Sequence, residues 1–238
     1  MSAAADHCLD LVRVADKDRF LASLFAPDSK RPALLALYAF NIEIAQVRRR
    51  VSEPAIGEIR YHWWRDTLEA IYRGETSPHP VAQEMARAIG IGDLPEKALQ
   101  DLITAREFDL YDDPMPDVAA LEGYLGETSS ALIQLASLVL AGLEARKSAG
   151  AAGLAGVAYG IARLLRERNF MPQGFDAITH ARTRLTEARA LRSTISRTAF
   201  PAFLPVNLTE LYLNNPAADI SQFRRQWRLW WAARRERF

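Results

Sequence analysis

The stretch Arg31-Pro-Ala-Leu-Leu-Ala-Leu-Tyr-Ala-Phe-Asn-Ile-Glu-Ile-Ala-Gln-Val47 decides the fold class of this chain. Its apolar side chains recur at helical spacing and cover more than one face of the helix, which is typical of a helix buried within a protein. Asp28 or Ser29 is the predicted N-cap, because a short polar side chain can accept a hydrogen bond from the free N–H groups of the first turn. The stretch therefore predicts a deeply buried central helix.

Helical patterns continue along the rest of the chain. We predict further helices at 53–74, between 80 and 90, at 96–111, 117–143, 147–170, 178–198 and 208–213, and from residue 219 or 221 to 235. Strand signals are weak, since no period-2 alternation of β-branched residues is sustained. With no solenoid-length repeat and no long linker, the prediction is one all-α domain over residues 1–238.

Composition excludes several classes of protein. Of 238 residues, 49% are hydrophobic, and 30 Lys plus Arg against 29 Asp plus Glu give a net charge of +1, so no global charge favours nucleic acid. The single cysteine, Cys8, is typical of a reducing compartment and lies near an N-terminus that we expect to be mobile. The first ten residues lack a signal-peptide pattern, and the apolar stretch 131–143 is shorter than the ~20 residues of a spanning helix. We expect a cytoplasmic protein, with peripheral attachment to the inner membrane left open.

Common catalytic motifs are missing from the sequence. It contains no nucleophile elbow, P-loop or dinucleotide-binding glycine pattern, and its four histidines are scattered. The glycines and alanines of 150–160 have a spacing that favours close helix packing. Asp109, Asp112 and Asp113 could place three carboxylates on one helix face to bind Mg²⁺, or residues 111–116 could form a solvated helix end that leads into a turn. Both interpretations stay open.

The C-terminal stretch combines aromatic and basic residues at helical spacing. The aromatic residues are Phe223, Trp227, Trp230 and Trp231, and the arginines are Arg224, Arg225, Arg228, Arg234 and Arg235. Such a helix could lie on an anionic membrane with its rings at the headgroup level. The favoured alternative is a terminal helix that docks its tryptophans into the domain, with arginine stems covering the seam.

Several segments together resemble the squalene/phytoene synthase family, in the right order and over nearly the whole chain. They are 18–27, 31–40, 63–68, the His79-Pro80 pair, 107–109, Tyr124 with the helix after it, 156–166 and the tryptophan-rich tail. The resemblance implies a class I isoprenoid synthase fold, a helical bundle around a central cavity. It also implies, for active members, Mg²⁺ held by two aspartate-rich motifs, which neutralises the charge of the departing diphosphate.

The aspartate motifs that the family resemblance leads us to expect are degenerate here. In the first motif, Ile42 replaces an arginine, and Ala45, Gln46 and Arg49 replace the three aspartates. In the second, Arg163 replaces an asparagine, Arg166 and the acid Glu167 are kept, and Met171 replaces the second aspartate. Residues 40–47, 51–57 and 60–64 resemble an aspartate-depleted branch of the family that includes a mitochondrial assembly factor for respiratory complex I.

The resemblance implies a catalytically inactive synthase homologue without a metal, which assists assembly or stability of complex I or another membrane-associated complex through a protein partner. One alternative is an active, Mg²⁺-dependent prenyltransferase with displaced ligands among Glu43, Glu107, Asp109, Asp112, Asp113 and Glu167. A second is a metal-independent binder of prenyl diphosphate or lipid phosphate, with Tyr38, Arg49, Arg163, Arg166 and Glu167 lining the residual cavity. These arginines could instead pair with Glu43, Glu167 or other acids and close the cavity.

Overall fold

A computed structural model describes residues 2–111, 113–167, 171–218 and 220–238. Across these ranges the secondary structure is helical, and none of them contains a strand, as predicted. The chain divides into two compact units, Met1–Asp113 and Pro114–Phe238, which are described separately. The single-domain organisation stays a prediction.

The first unit is built around the helix that decided the fold class. Its α-helices are α1 (Ala3–Ala15), α2 (Lys17–Ser23), α3 (Arg31–Ala45), α4 (Val47–Arg50), α5 (Pro54–Tyr72), α6 (Pro80–Gly92) and α7 (Glu96–Arg106), and a 3-10 helix covers Glu107–Tyr111. Helix α3 packs against α1 and α6. Leu34, Leu37 and Ile44 on α3 are completely buried, which confirms the predicted deep burial of this helix.

The predicted N-cap of α3 was wrong. The helix begins at Arg31 after Lys30, and neither Asp28 nor Ser29 caps it. Pro32 in the first turn has a backbone φ already suited to a helix and lacks the N–H that a cap would satisfy. The Arg31 guanidinium instead donates hydrogen bonds to the carbonyl oxygens of Ser23 and Ala26, at 3.1 and 3.0 Å. A side chain inside the helix therefore fixes the turn that leads into it.

The predicted mobility near the N-terminus was also wrong. The Ser2 hydroxyl caps α1 by accepting a hydrogen bond from the backbone N–H of Ala5 at 3.1 Å. One face of α1 buries Ala4, Cys8 and Val12 in the core of the first unit. This helix is part of the unit because its apolar residues recur at i, i+4 and i+8 and pack on α3 and α6.

The second unit is built around the glycine- and alanine-rich helix α10. Its α-helices are α8 (Val118–Leu125), α9 (Ala131–Ala141), α10 (Ala149–Glu167), α11 (Ala177–Ala190), α12 (Phe200–Phe203), α13 (Thr209–Asn214) and α14 (Gln222–Arg235). A π-helical turn, Gly126–Ser130, joins α8 to α9, and 3-10 helices cover Gly142–Ser148, Arg192–Thr194 and Leu204–Leu208. Helix α10 packs against α9, α11 and α13.

The small residues of α10 permit this close packing. A Cβ atom on Gly156 would lie 2.3 Å from the Cα of Ser130, and one on Gly160 would lie 2.5 Å from Cδ2 of Leu125. Ser130 also donates a hydrogen bond from its hydroxyl to the carbonyl oxygen of Gly153 at 2.7 Å. The glycines of 150–160 therefore serve helix packing, as their spacing predicts.

The helical run Val118–Glu167 is long and apolar enough, by length and composition alone, to cross a membrane. Its most apolar window has a mean hydropathy of 1.4, and 61% of that window is buried within the protein. Gly142 interrupts the run with φ of +58°, a backbone conformation that suits glycine. The run therefore comprises several core helices of the second unit.

One predicted helix ends earlier than expected. The pattern at 178–198 predicts a helix to residue 198, but α11 ends at Ala190. After a 3-10 turn, Ile195 takes extended φ and ψ of −91° and 114°, and its side chain is 3% exposed. The chain leaves the helix because the burial of Ile195 outweighs the weak helical preference of residues 191–198.

Candidate functional site

The first degenerate motif lies where α3 ends and α4 begins. Ala45 is the last residue of α3, Gln46 separates the two helices with φ −94° and ψ −1°, and Arg49 is exposed on α4. A methyl group, an amide and a guanidinium therefore stand at the three positions where the family resemblance leads us to expect carboxylates. None of the three supplies a negatively charged oxygen to a divalent cation.

The acid nearest in sequence to these positions, Glu43, is engaged by an arginine. The guanidinium of Arg50 donates hydrogen bonds to Oε2 of Glu43 at 2.8 Å and to Oε1 of Gln46 at 2.6 Å. This guanidinium supplies the positive charge that a metal ion would otherwise bring to Glu43. Use of Glu43 as a displaced metal ligand would first require this ion pair to break.

The second degenerate motif lies at the C-terminal end of α10, in the second unit. Arg166 donates hydrogen bonds to the carbonyl oxygens of Ala218 and Pro216, at 2.9 and 3.3 Å. Its guanidinium also lies 4.7 Å from the centre of the Tyr212 ring, within the range of a cation–π interaction. The arginine kept from the family motif therefore fastens the segment after α13 to the end of α10.

The other predicted residues of the second motif lie on or after the same helix end. Arg163 lies 5.9 Å from the centre of the Tyr159 ring, Glu167 is exposed, and Met171 is half-buried. Of these three, Glu167 alone carries a carboxylate. The structure thus brings Arg163, Arg166 and Glu167 to one end of α10, whereas Arg49 belongs to the first unit.

The residues at the two motifs do not fit Mg²⁺. This cation takes oxygen ligands, usually from more than one acidic group including bound phosphate, whereas the motif positions carry Ala45, Gln46, Arg49 and Met171 beside one acid, Glu167. Among the described residues, which exclude Asp112, no group of three or more His, Cys, Asp or Glu side chains could hold a metal ion.

The acidic cluster at 109–113 does not have the spacing that the metal-site interpretation requires. Asp109 is 7% exposed and its Oδ2 accepts a hydrogen bond from Nη1 of Arg106 at 3.2 Å, while Glu107 accepts one from Arg65 at 2.6 Å. The α-helix has already ended at Arg106, and the 3-10 helix after it alters the predicted spacing. Asp113 is exposed, and Asp112 lies outside the described residues. Asp109 is therefore paired with the half-buried Arg106, whereas the exposed Tyr111 and Asp113 agree with the predicted solvated helix end.

Tyr38, predicted to line a cavity, lies in the core of the first unit with 2% of its surface exposed. Burial raises the pKa of its hydroxyl well above the usual range. The Arg19 guanidinium lies 5.8 Å from its ring centre and is paired with the Asp16 carboxylate at 2.6 Å. Sequence reasoning missed this buried pair, although Asp16 directly before a helix is a typical N-cap, and it accepts a hydrogen bond from the Arg19 backbone N–H at 3.1 Å.

The C-terminal helix exposes its aromatic residues. Phe223, Trp227 and Trp230 are 74%, 53% and 43% exposed, and we call these three residues the aromatic ridge. Their rings form a continuous stack, with centroid distances of 6.3 Å from Phe223 to Trp227 and 5.7 Å from Trp227 to Trp230. Trp231 is half-buried beside them.

The prediction that α14 docks its tryptophans into the domain was therefore wrong. The helix buries Arg225, Leu229 and Ala232 instead, and packs on the 204–208 segment. At ~100° per residue these three positions lie opposite the aromatic ridge, so one helix cannot bury both faces against the same surface. Its inner face is completed by Phe238, which is 5% exposed and stacks on Phe203 with ring centroids 5.7 Å apart.

Ion pairs fix the C-terminal end of α14. The Glu236 carboxylate forms ion pairs with two arginines, with Nε of Arg197 at 2.6 Å and Nη2 of Arg192 at 3.3 Å. The Arg189 side chain donates a further hydrogen bond to the carbonyl oxygen of Phe238 at 2.6 Å. The aromatic ridge is thus presented on a helix whose opposite face and C-terminal end are held by the second unit.

Sequence comparison places these features in a protein class. Residues 12–169 match the family described as squalene/phytoene synthase, and the chain belongs to that family. The structure is similar to squalene synthase HpnC from Alicyclobacillus acidocaldarius, with a TM-score of 0.76, 17% identity, and 89% of this chain and 92% of that chain covered. A dehydrosqualene synthase solved with a ligand has a TM-score of 0.75, 15% identity, and 98% and 96% coverage. These similarities confirm the predicted isoprenoid synthase fold.

Within the family, the chain is similar to proteins named NADH dehydrogenase (ubiquinone) complex I, assembly factor 6. It is 31% identical to the Bos taurus protein over 240 residues, which is 87% of this chain and 72% of that protein. The Homo sapiens protein is also 31% identical, over 242 residues and with the same coverage. The Drosophila melanogaster homolog is 33% identical over 168 residues, 68% of this chain and 50% of that protein. The predicted family and its aspartate-depleted branch are confirmed.

Proposed function

We propose that this chain is a non-catalytic member of the squalene/phytoene synthase family that assists assembly of respiratory complex I. The observation that carries the proposal is its 31% identity, over 87% of its length, to complex I assembly factor 6 of cattle and human. The proposed partner is a protein of that complex, and the proposed place of action is the cytoplasmic side of the membrane that holds it.

The chemistry of the motif positions supports a non-catalytic role. A diphosphate leaving group carries several negative charges, and the ionisation of a prenyl diphosphate is slow unless divalent cations neutralise them. Ala45, Gln46 and Met171 cannot hold such cations, and Glu43 is paired with Arg50 at 2.8 Å. The chain therefore uses this fold for a purpose other than catalysis, and the simplest such purpose is binding to another protein.

Deletion of the gene in the organism that encodes this chain tests the proposal directly. We expect less assembled complex I on native gels and a lower rate of NADH:quinone oxidoreduction in isolated membranes, with both restored by the intact gene. Succinate:quinone oxidoreduction in the same membranes is the control and should not change. Normal complex I content and activity in the deletion strain would remove the proposal.

The prenyltransferase alternative is tested with the purified protein. Incubation with farnesyl or geranylgeranyl diphosphate and Mg²⁺ should release no more diphosphate than the same mixture without the protein. We expect this because the motif positions do not fit the metal. The double variant Ala45→Asp/Gln46→Asp is a useful companion, since any gain of metal-dependent turnover would show that the chain still binds the substrate. Release of diphosphate by the unaltered chain at enzymatic rates would overturn the non-catalytic assignment.

The phosphate-binding alternative has less support from the contacts of its predicted residues. Arg166 uses its guanidinium on two carbonyl oxygens and the Tyr212 ring, and Tyr38 lies in the core of the first unit. A prenyl diphosphate would have to displace the contacts of Arg166 before that arginine could bind it. The convergence of Arg49, Arg163 and Arg166 on one ligand stays a prediction.

A further inference from the structure

We propose that the outer face of α14 is a membrane-docking surface that binds anionic phospholipid bilayers. The aromatic ridge is the first observation that carries this inference. Three large apolar rings stand in solvent on one helix face, although Leu229 on the opposite face is completely buried. Tryptophan and phenylalanine rings in this position can enter the interface between lipid headgroups and acyl chains, where an apolar body and a polar edge are both accommodated.

The positive charge around the aromatic ridge indicates which kind of lipid surface it binds. Residues 222–235 contain no Asp or Glu, and the four arginines with outward-facing or half-buried positions are Arg224, Arg228, Arg234 and Arg235. Arg234 lies 5.7 Å from the centre of the Trp230 ring, and Arg235 lies 4.4 Å from that of Trp231. At ~100° per residue the other two arginines lie along one flank of the ridge. Guanidinium groups beside the inserted rings would meet phosphate groups, so anionic lipids are favoured over neutral ones.

The shape and size of the ridge favour a bilayer over a protein partner. Aromatic side chains have about 150–250 Å² of surface each, so the exposed fractions of the three rings amount to roughly 300–400 Å². A stable protein interface buries about 800 Å² on each partner and centres its aromatic residues in pockets. A convex ridge of this size fits a fluid lipid interface, which needs no complementary pocket.

The fixed attachment of α14 makes this surface available without unfolding. Its inner face, formed by Arg225, Leu229 and Ala232, stays packed while the outer face meets the lipid. Ion pairs from Arg192 and Arg197 to Glu236 hold its C-terminal end. The second unit would therefore lie on the membrane surface with α14 parallel to it.

This inference goes beyond the proposed function and is tested independently of it. The intact chain is sedimented with vesicles of neutral phosphatidylcholine, or with vesicles of phosphatidylcholine that contain about 30–40 mol% of the anionic lipid phosphatidylglycerol. We expect binding to the anionic vesicles that falls with added salt, and at least about ten-fold weaker binding to neutral ones. Brominated anionic lipid should quench the tryptophan fluorescence of the bound protein, because the ridge rings enter the interface.

Matched variants separate the ridge from general surface effects. The variant Phe223→Gln/Trp227→Gln/Trp230→Gln should lose vesicle binding and most of the quenching. Trp63→Gln removes a ring with the same 43% exposure as Trp230 from the first unit and should leave binding unchanged. Arg224→Gln/Arg235→Gln should weaken binding roughly 25-fold, at about five-fold for each arginine near an anionic surface. Arg60→Gln/Arg73→Gln makes the same change in net charge on the first unit and should have little effect.

Three results would overturn the inference. The first is wild-type protein that binds neither kind of vesicle, and the second is equal binding to both kinds without dependence on salt. The third is a ridge variant that melts at the wild-type temperature and binds vesicles as the wild type does. If the first result is found and the ridge variant also loses complex I assembly, the ridge belongs to a protein partner.

Discussion

At the scale of single residues, Arg166 shows how a residue from a catalytic motif can serve the fold. In the sequence it is the one basic residue of the second motif that matches the family pattern, and the alternatives were that it binds a phosphate or pairs with an acid. In the structure it donates to the carbonyl oxygens of Pro216 and Ala218 and packs on the Tyr212 ring. A side chain with five donors suits this task, because it can satisfy two carbonyls that follow a helix and have no partner within it.

Replacement of Arg166 by alanine should therefore destabilise the protein. Loss of charge-assisted hydrogen bonds and of the ring contact is expected to lower the free energy of unfolding by about 1.5–3 kcal/mol. Urea denaturation followed by circular dichroism measures the change. Arg224→Ala in the same unit is the control, since the Arg224 side chain is exposed, and it should change stability by less than about 0.5 kcal/mol. Equal stability of Arg166→Ala and wild type would contradict the structural role.

Glu122 makes the stability of the folded protein depend on pH in the acid range. It accepts hydrogen bonds from Arg184 and His180, each at 2.6 Å. Partial burial raises the pKa of the Glu122 carboxyl, but these hydrogen bonds and charges outweigh burial and hold the pKa below its usual value of 4.5. The unfolded chain therefore takes up a proton at this group before the folded chain does as the pH falls.

The stabilising contribution of Glu122 should be present above pH 4.5 and be lost as the pH falls through the lowered folded-state pKa. Melting temperatures of the wild type and of Glu122→Gln, measured from neutral to acid pH, should differ most at neutral pH and converge below that window. Glu144→Gln, at an exposed carboxylate in the same unit, is the control. A difference that grows as the pH falls would show the opposite sign and refute this account.

At the scale of elements, the contact between α10 and the π-helical turn at Gly126–Ser130 depends on the absence of a side chain. A Cβ atom on Gly156 would lie within 2.5 Å of both Cα and N of Ser130, which are backbone atoms and cannot turn away. Ser130 is the last residue of this π-helical turn and donates a hydrogen bond to the carbonyl oxygen of Gly153 on α10 at 2.7 Å. Helix and turn must move apart if the glycine is replaced.

Gly156→Ala should lower the free energy of unfolding by about 1–3 kcal/mol, because overpacking in a closely packed contact forces the backbone to shift. Gly153→Ala is a matched control on the same helix, since a Cβ atom there meets nothing within 4 Å. This control should be neutral or more stable by up to about 1 kcal/mol, as alanine is the better helix former. Thermal melts of both variants measure the contrast, and equal effects at the two positions would show that the close approach is unimportant.

Most of the helices could be predicted because their apolar residues recur at helical spacing. The pattern around Leu34 to Ile44 located α3, and Ser221 correctly marked the start of α14. Predictions failed where tertiary contacts compete with local preference, as at Ile195, whose burial ends the predicted helix early. Which face of α14 is buried also could not be predicted. Its aromatic residues recur at the same helical spacing whether they face the core or the solvent.

At the scale of the whole molecule, the family could be predicted from the sequence, whereas the contacts of the charged side chains at the motif positions could not. The positions of Ala45, Gln46 and Met171 follow from motif order alone. The partners of Glu43, Asp109 and Arg166 depend on residues elsewhere in their unit, which a pattern along the chain does not reveal. The sequence thus predicts the family, and the structure shows which partners these charged side chains have.

The burial of Cys8 makes its reaction with a thiol reagent a measure of local opening in the first unit. Burial and then the nearby charges of Glu84 and Glu43 raise the pKa of this thiol to about 12, so little reactive thiolate forms at neutral pH. Because the chain has no other cysteine, the rate of labelling by a thiol reagent measures how often the α1 region opens. Three of the five tryptophans belong to the second unit, so in the variant Trp63→Phe/Trp64→Phe the emission follows that unit alone. Labelling and emission that change together in denaturant would mean that the two units unfold as one cooperative body.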